Sequence, residues 1–401
     1  MVPVRQMNRF LAREVSAFFL LCVPAILYSP CAQAKFLKDA ETRPRGRIAC
    51  LASSTIGTRY PNPKRLGTHG YRINASERNG IVYTCKAGHI DITHVRKLAD
   101  WTAYLAAEVR EKLRSGETEF SFKFKEPSRF FVHLTYPEDW QDRPGQEKER
   151  IIHDISIRLG QYFAHTEGIW HEILTWFGYK SAGFIPEFPS AFSWEDSFSD
   201  LLGTYVGAIA LRDPEHEFCE AVTLALNREL EKLAVQPRRT AIRAANQVRG
   251  RWFSGDLITI SMKKRNFDVG LDDGFITPWI VPSVRGCEAA QAQPYPVGNL
   301  DFLSKYGFSL HLEIEPRELE KGKILSAVYP DKNAREDRVV PAVHFAKIMD
   351  HIRNDAIEKY GPDVDSYYCG TTGNGDLNGD CRIDMRDFAR LTSDWLQDGE
   401  L

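Results

Sequence analysis

The sequence predicts an α+β fold: a mostly helical main domain with antiparallel β hairpins, followed by a short calcium-loop tail repeat. Three observations lead there. Long segments carry apolar residues every three or four positions, short runs alternate apolar with polar residues, and no regular βαβ rhythm connects them. A 43% hydrophobic content over 401 residues is enough for a real core. The 52 basic residues against 54 acidic ones leave a net charge of -2, which gives no electrostatic reason to expect nucleic-acid binding.

In chain order, residues 1–34 read as an export signal. Arg5, Arg9 and Arg13 precede the apolar run AFFLLCVPAIL, and Ala32-Gln33-Ala34 supplies a small-x-small cleavage site. The run is too short to span a bilayer, so no membrane span is expected after cleavage, and the mature chain is expected in the periplasm or outside the cell. Cleavage would leave six cysteines. An even number in an exported chain suggests disulfides, with the pairing among Cys50, Cys85, Cys219 and Cys287 left open.

Residues 35–360 form the expected main domain. An irregular segment to about residue 77 leads to the strand-like GIVYTC, and a helix from Asp91 to about Arg114 follows, with Asp91 as its cap. FSFKFK, a turn, and RFFVHLTY predict a hairpin. A second helix runs from about Glu147 to Phe177, a third starts near Glu195, and others follow Pro214 and Gln236. Residues 252–330 read as β-rich through LITIS, ITPWIV and FSLHLEIE. A last helix covers 341–359, and 361–373 reads as a linker to a tail at 374–401.

The tail holds the most specific motif. With Asp376 at position 1, Asn378, Asp380, the Arg382 carbonyl, Asp384 and Asp387 fall at positions 3, 5, 7, 9 and 12, the oxygen spacing of an EF-hand loop for Ca2+. Only one helix follows it, and position 12 is Asp, so the segment resembles a type I dockerin repeat in single copy. That resemblance implies attachment to a cohesin-like or envelope protein. Cys381, at the position usually held by Gly, is suited to a bridge with Cys369.

In the body, three stretches gather chemically capable side chains: CKAGHIDITHVRKLADWT, HTEGIWHEILTWFGY and FSWEDSFSDLLGTYVG. Glu167 and His171 are four apart on one helical face, as ligands of one metal ion are, but Thr175 stands where a second His would complete HExxH. With His94 and Glu195 these two make a candidate ligand set for Zn2+ or another divalent metal, and Glu172 is a candidate general base on a metal-bound water. Against this, Ser193 and Asp196 have the form of a helix capping box. Nucleophile-elbow, Walker and Rossmann motifs are missing from the sequence. The three stretches resemble the signature blocks of an uncharacterised bacterial family of exported proteins, a domain of unknown function, which implies one body whose polar blocks belong together. The expectation is a metal-dependent hydrolase of the cell envelope or extracellular space. Its rivals are a non-catalytic envelope, scaffold or binding protein and a polysaccharide-degrading enzyme using two carboxylates.

Overall fold

Three helices pack along their lengths and place the polar stretches side by side. In the computed structural model the described residues are 43–47, 59–72, 74–124, 126–181, 185–255 and 260–367, with 385, 388, 389, 391 and 392. The export signal and the calcium loop lie outside them. Strands β1 (Ile81–Thr84) and β2 (Gly88–Asp91) form a tight antiparallel pair that runs directly into α1 (Ile92–Ser115). Asp91 caps this helix as expected, accepting the Thr93 N–H at 2.7 Å, and Gly116 ends it in the left-handed conformation.

The expected hairpin is β3 (Glu119–Lys123) with β4 (Arg129–Thr135), and α2 (Gly145–Trp176) follows. A two-residue pair, β5 (Lys180–Ser181) and β6 (Ile185–Pro186), leads towards α3 (Asp196–Arg212), α4 (Phe218–Lys232), β7 (Val235–Gln236) and α5 (Arg238–Val248). Helices α1, α2 and α3 all pack on one another. Their close approach needs glycine: a Cβ on Gly203 of α3 would stand 2.6 Å from the Val95 carbonyl oxygen of α1.

The stretch 252–330 departs from its β-rich reading. It holds β8 (Phe253–Gly255), β9 (Ile260–Met262), β10 (Phe275–Ile276), β11 (Tyr295–Pro296) and β12 (Ser309–Glu315), most of them very short, and then a helix, α6 (Glu318–Val328). Strand β12 joins the hairpin in the order β12-β4-β3. The last helix, α7 (Pro341–Tyr360), matches expectation.

One core unites the buried face of that sheet (Phe130, Val132, Leu312, Ile314) with α1, α2 and α7. A second surrounds Tyr83, Trp194, Trp252 and Trp279. Residues 361–367, expected as the start of a linker, lie on the body instead. Val364 is buried, its carbonyl accepts the Arg265 N–H at 2.7 Å, and the Tyr367 ring lies 5.6 Å from that of Trp279. The Lys264 ammonium also donates to the Asp363 and Ser366 carbonyls, at 2.8 and 2.9 Å. A disulfide between Cys85 and Cys287 ties the β1–β2 turn to the loop after β10, which settles one of the pairings left open.

Candidate functional site

The three helices each turn one polar edge toward the others. From α1 come His94 and Lys97, three apart; from α2, Glu167 and His171, four apart; from α3, Asp196 and Asp200, four apart. Glu126, in the β3–β4 connection, and Glu187, just after β6, close the row from outside the helices. Helix packing is close here as well: a Cβ on Gly168 would sit 2.9 Å from an Asp200 carboxylate oxygen.

Each imidazole of the row lies between two carboxylates. His94 Nδ1 is 3.3 Å from Asp196 Oδ1 and 3.2 Å from Asp200 Oδ1. His171 Nδ1 is 2.9 Å from Glu126 Oε1, and its Nε2 is 3.4 Å from Glu187 Oε2. Both rings are partly exposed, at 14% and 18%, whereas Glu167 is 1% exposed, so the row meets solvent at its cations and keeps its acid inside.

Burial and neighbouring charges divide the row into cations, anions and neutral acids. Burial alone would deprotonate His171, and Lys97 acts in the same sense, but Glu126 and Glu187 outweigh both and raise it to about 9. His94 is driven up against burial by Asp196 and Asp200. Lys97 also stays charged against burial, held by Glu167, Glu126, Asp200 and Glu187, yet among the described residues no carboxylate comes within ion-pair distance of its ammonium. Burial would raise Glu126 and Asp200, but His171 and His94 respectively bring them below the usual carboxylate range.

Glu167 behaves in the opposite way. Burial, reinforced by Glu126 and Asp200, lifts it to about 8 against the pull of Lys97 and His171. Neither of its carboxyl oxygens has a hydrogen-bond partner among the described residues. Such a group is costly to keep in a protein interior unless it is used. Glu195 is raised to about 8 chiefly by burial, and Asp196 rises for the same reason.

Of the residues singled out from sequence, Glu167 and His171 stand together, while His94 stands with Asp196 and Asp200. Glu195 lies at the start of α3, near Asp91 and His94. Glu172 feels the charges of His171, His94 and Asp200, but its carboxylate is engaged by the backbone, accepting the Phe192 N–H. Phe192 is buried with φ of 54°, a strained conformation for a non-glycine residue, so Glu172 holds the turn that enters α3. The capping box does not form. Helix α3 starts at Asp196 without a side-chain cap, and the Asp196 carboxylate faces His94. His89 is structural, accepting the Trp194 indole N–H and donating to the Ala241 carbonyl, with burial lowering it to about 4.

Lys97, Glu126 and Glu187 were not legible as site residues. Lys97 falls within the stretch CKAGHIDITHVRKLADWT but carries no spacing that marks it, and the other two reach the row only through tertiary structure. For a metal, the nearest donor set is His171 with Glu126, Glu167 and Glu187. As they stand, no group of three or more His, Cys, Asp or Glu side chains among the described residues is disposed to hold an ion. A metal would have to replace the protons of His171 and Glu167, since ligation needs a neutral imidazole and an ionised carboxylate. The calcium-loop ligands Asp376, Asn378, Asp380, Arg382, Asp384 and Asp387 lie outside the described residues.

A family model described as a protein of unknown function (DUF4056) matches residues 50–270, more than half of the chain and the whole of the polar row. No curated protein and no solved structure matches.

Proposed function

The chain belongs to the DUF4056 family, and we propose that its body is a hydrolase whose catalytic centre is the polar row between α1, α2 and α3. The reading is carried by Glu167, a buried carboxyl with no hydrogen-bond partner among the described residues and raised to about 8. A carboxyl in that state carries a proton at neutral pH and can deliver it to a leaving group. Lys97 stabilises the carboxylate that remains, and His171 offers positive charge where the transition state becomes anionic. The ionised Glu126 and Asp200 supply acceptors for the proton of an attacking water. Glu172, expected from sequence as the base, serves in this reading to position the turn into α3.

One observation favours a metal-dependent form of the same reaction. The unpartnered oxygens of Glu167 lie one helical turn from His171, which Glu126 and Glu187 already flank. In that form these four side chains bind Zn2+ or a similar ion, and His94 and Glu195 form the far end of the site.

The test is hydrolysis by the purified full chain of chromogenic esters, phosphates, glycosides and peptide anilides, with and without a chelator. Glu167→Gln should lose about 100-fold or more in rate without a lower melting temperature. The wild-type rate should fall above about pH 8 as Glu167 ionises. Loss on chelation with recovery in zinc selects the metal-dependent form, and cleavage confined to glycosides selects the polysaccharide-degrading class. If no substrate is cleaved, or Glu167→Gln retains the full rate, the body is a non-catalytic envelope or binding protein.

From the sequence we propose further that the chain is exported and that its dockerin-like tail binds Ca2+ through Asp376, Asn378, Asp380, the Arg382 carbonyl, Asp384 and Asp387, attaching the body to a cohesin-like or envelope protein. Calorimetric titration of the full chain with Ca2+ should show a binding event that Asp387→Ala removes. An unchanged titration in that variant would exclude the loop.

A further inference from the structure

The exposed face of the β12-β4-β3 sheet carries a second cluster of histidine and carboxylate side chains, simpler than the row and likewise not yet gathered around one point. Strand register aligns Glu119 of β3, His133 of β4 and His311 of β12 in one line across the sheet. All three project from the outer face, because the alternate residues Val132, Leu134 and Leu312 are buried in the core. They are well exposed, with His133 at 43%, His311 at 53% and Glu119 at 75%.

The imidazole centroids are 6.2 Å apart. Glu119 Oε1 is 3.5 Å from His133 Nδ1, and Glu313 Oε1 is 3.4 Å from His311 Nε2. Glu313 is held in turn by Arg338 at 2.6 Å, which makes Glu313 the group that orients His311 and leaves the exposed Glu119 as the carboxylate that can turn to an ion.

We propose that His133, His311 and Glu119 form a surface site for a divalent transition metal of the zinc type. Paired hydrogen-bonded strands hold the two histidines opposite each other before any metal arrives. Bonds of about 2.0–2.1 Å from one ion to both rings require them to draw together only slightly, and exposed side chains rotate at little cost. The donors do not yet surround a common point, so the ion itself completes the geometry. Two imidazoles with one carboxylate favour zinc, nickel or copper over calcium and magnesium. This site is independent of the polar row, with which it shares no residue.

The test is calorimetric titration of the metal-free full chain with zinc chloride at neutral pH. His133→Ala and His311→Ala should each abolish one binding event, and Glu119→Gln should weaken it about tenfold, while the melting temperatures of the metal-free variants stay at the wild-type value. His171→Gln should leave that event intact, which separates it from any metal held in the row. A zinc titration that is unchanged in both histidine variants, or that shows no event in the wild type, overturns the site.

Discussion

At the scale of single residues, proton occupancy governs the row. Folded Glu167 and His171 each hold a proton that the unfolded chain has released, Glu167 between about 4.5 and 8 and His171 between about 6.5 and 9. The folded state therefore binds more protons than the unfolded one, and stability falls as pH rises from 6.5 to 9. Scanning calorimetry should show a lower melting temperature at pH 9 than at 6.5, and His171→Gln should flatten that fall. Glu172 gives a second prediction. Removing the acceptor of the buried Phe192 N–H in Glu172→Ala should cost about 1–3 kcal/mol in urea unfolding, whereas Glu172→Gln keeps an acceptor and should cost less. Little at this scale was legible beforehand. Spacing along a helix correctly grouped Glu167 with His171, but nothing local links Lys97 to Glu126 or shows that Asp196 faces His94 instead of capping its own helix.

Among the elements, legibility tracked length. Helices α1, α2 and α7 repeat an apolar stripe over many turns, so their ends were placed within a few residues. Helix α6 was missed because its eleven residues follow an alternating strand and include Gly322, and β2 was missed because four buried residues leading into a helix show no alternation. The glycines at helix crossings yield a paired prediction. Gly203→Ala would press a methyl against the Val95 carbonyl and force α1 and α3 apart, at about 1–3 kcal/mol. Gly116→Ala meets nothing within 4 Å and should cost only the left-handed strain, about 1 kcal/mol. Because Gly203 shares α3 with Asp196 and Asp200, only its replacement should also shift the pH dependence of stability.

For the whole molecule, α+β architecture was legible from mixed periodicities, while the closure of its parts was not. The disulfide spans 202 residues, a separation no local pattern reveals. Replacing Cys85 and Cys287 by serine should lower stability by about 2–5 kcal/mol, measured as an earlier urea midpoint, by restoring the freedom of that long loop in the unfolded chain. The seating of residues 361–367 has a mechanical meaning. A pull on residues 361–367 is borne first by Tyr367, where the ring rests on Trp279 and the hydroxyl donates to the Ile280 carbonyl. Behind it, the Lys264 contacts to Asp363 and Ser366 and the backbone bond from Arg265 to Val364 share the load. Force on this segment is thus delivered to the core around Trp252 and Trp279. The segment is thereby fastened to the body as a rivet is to a plate.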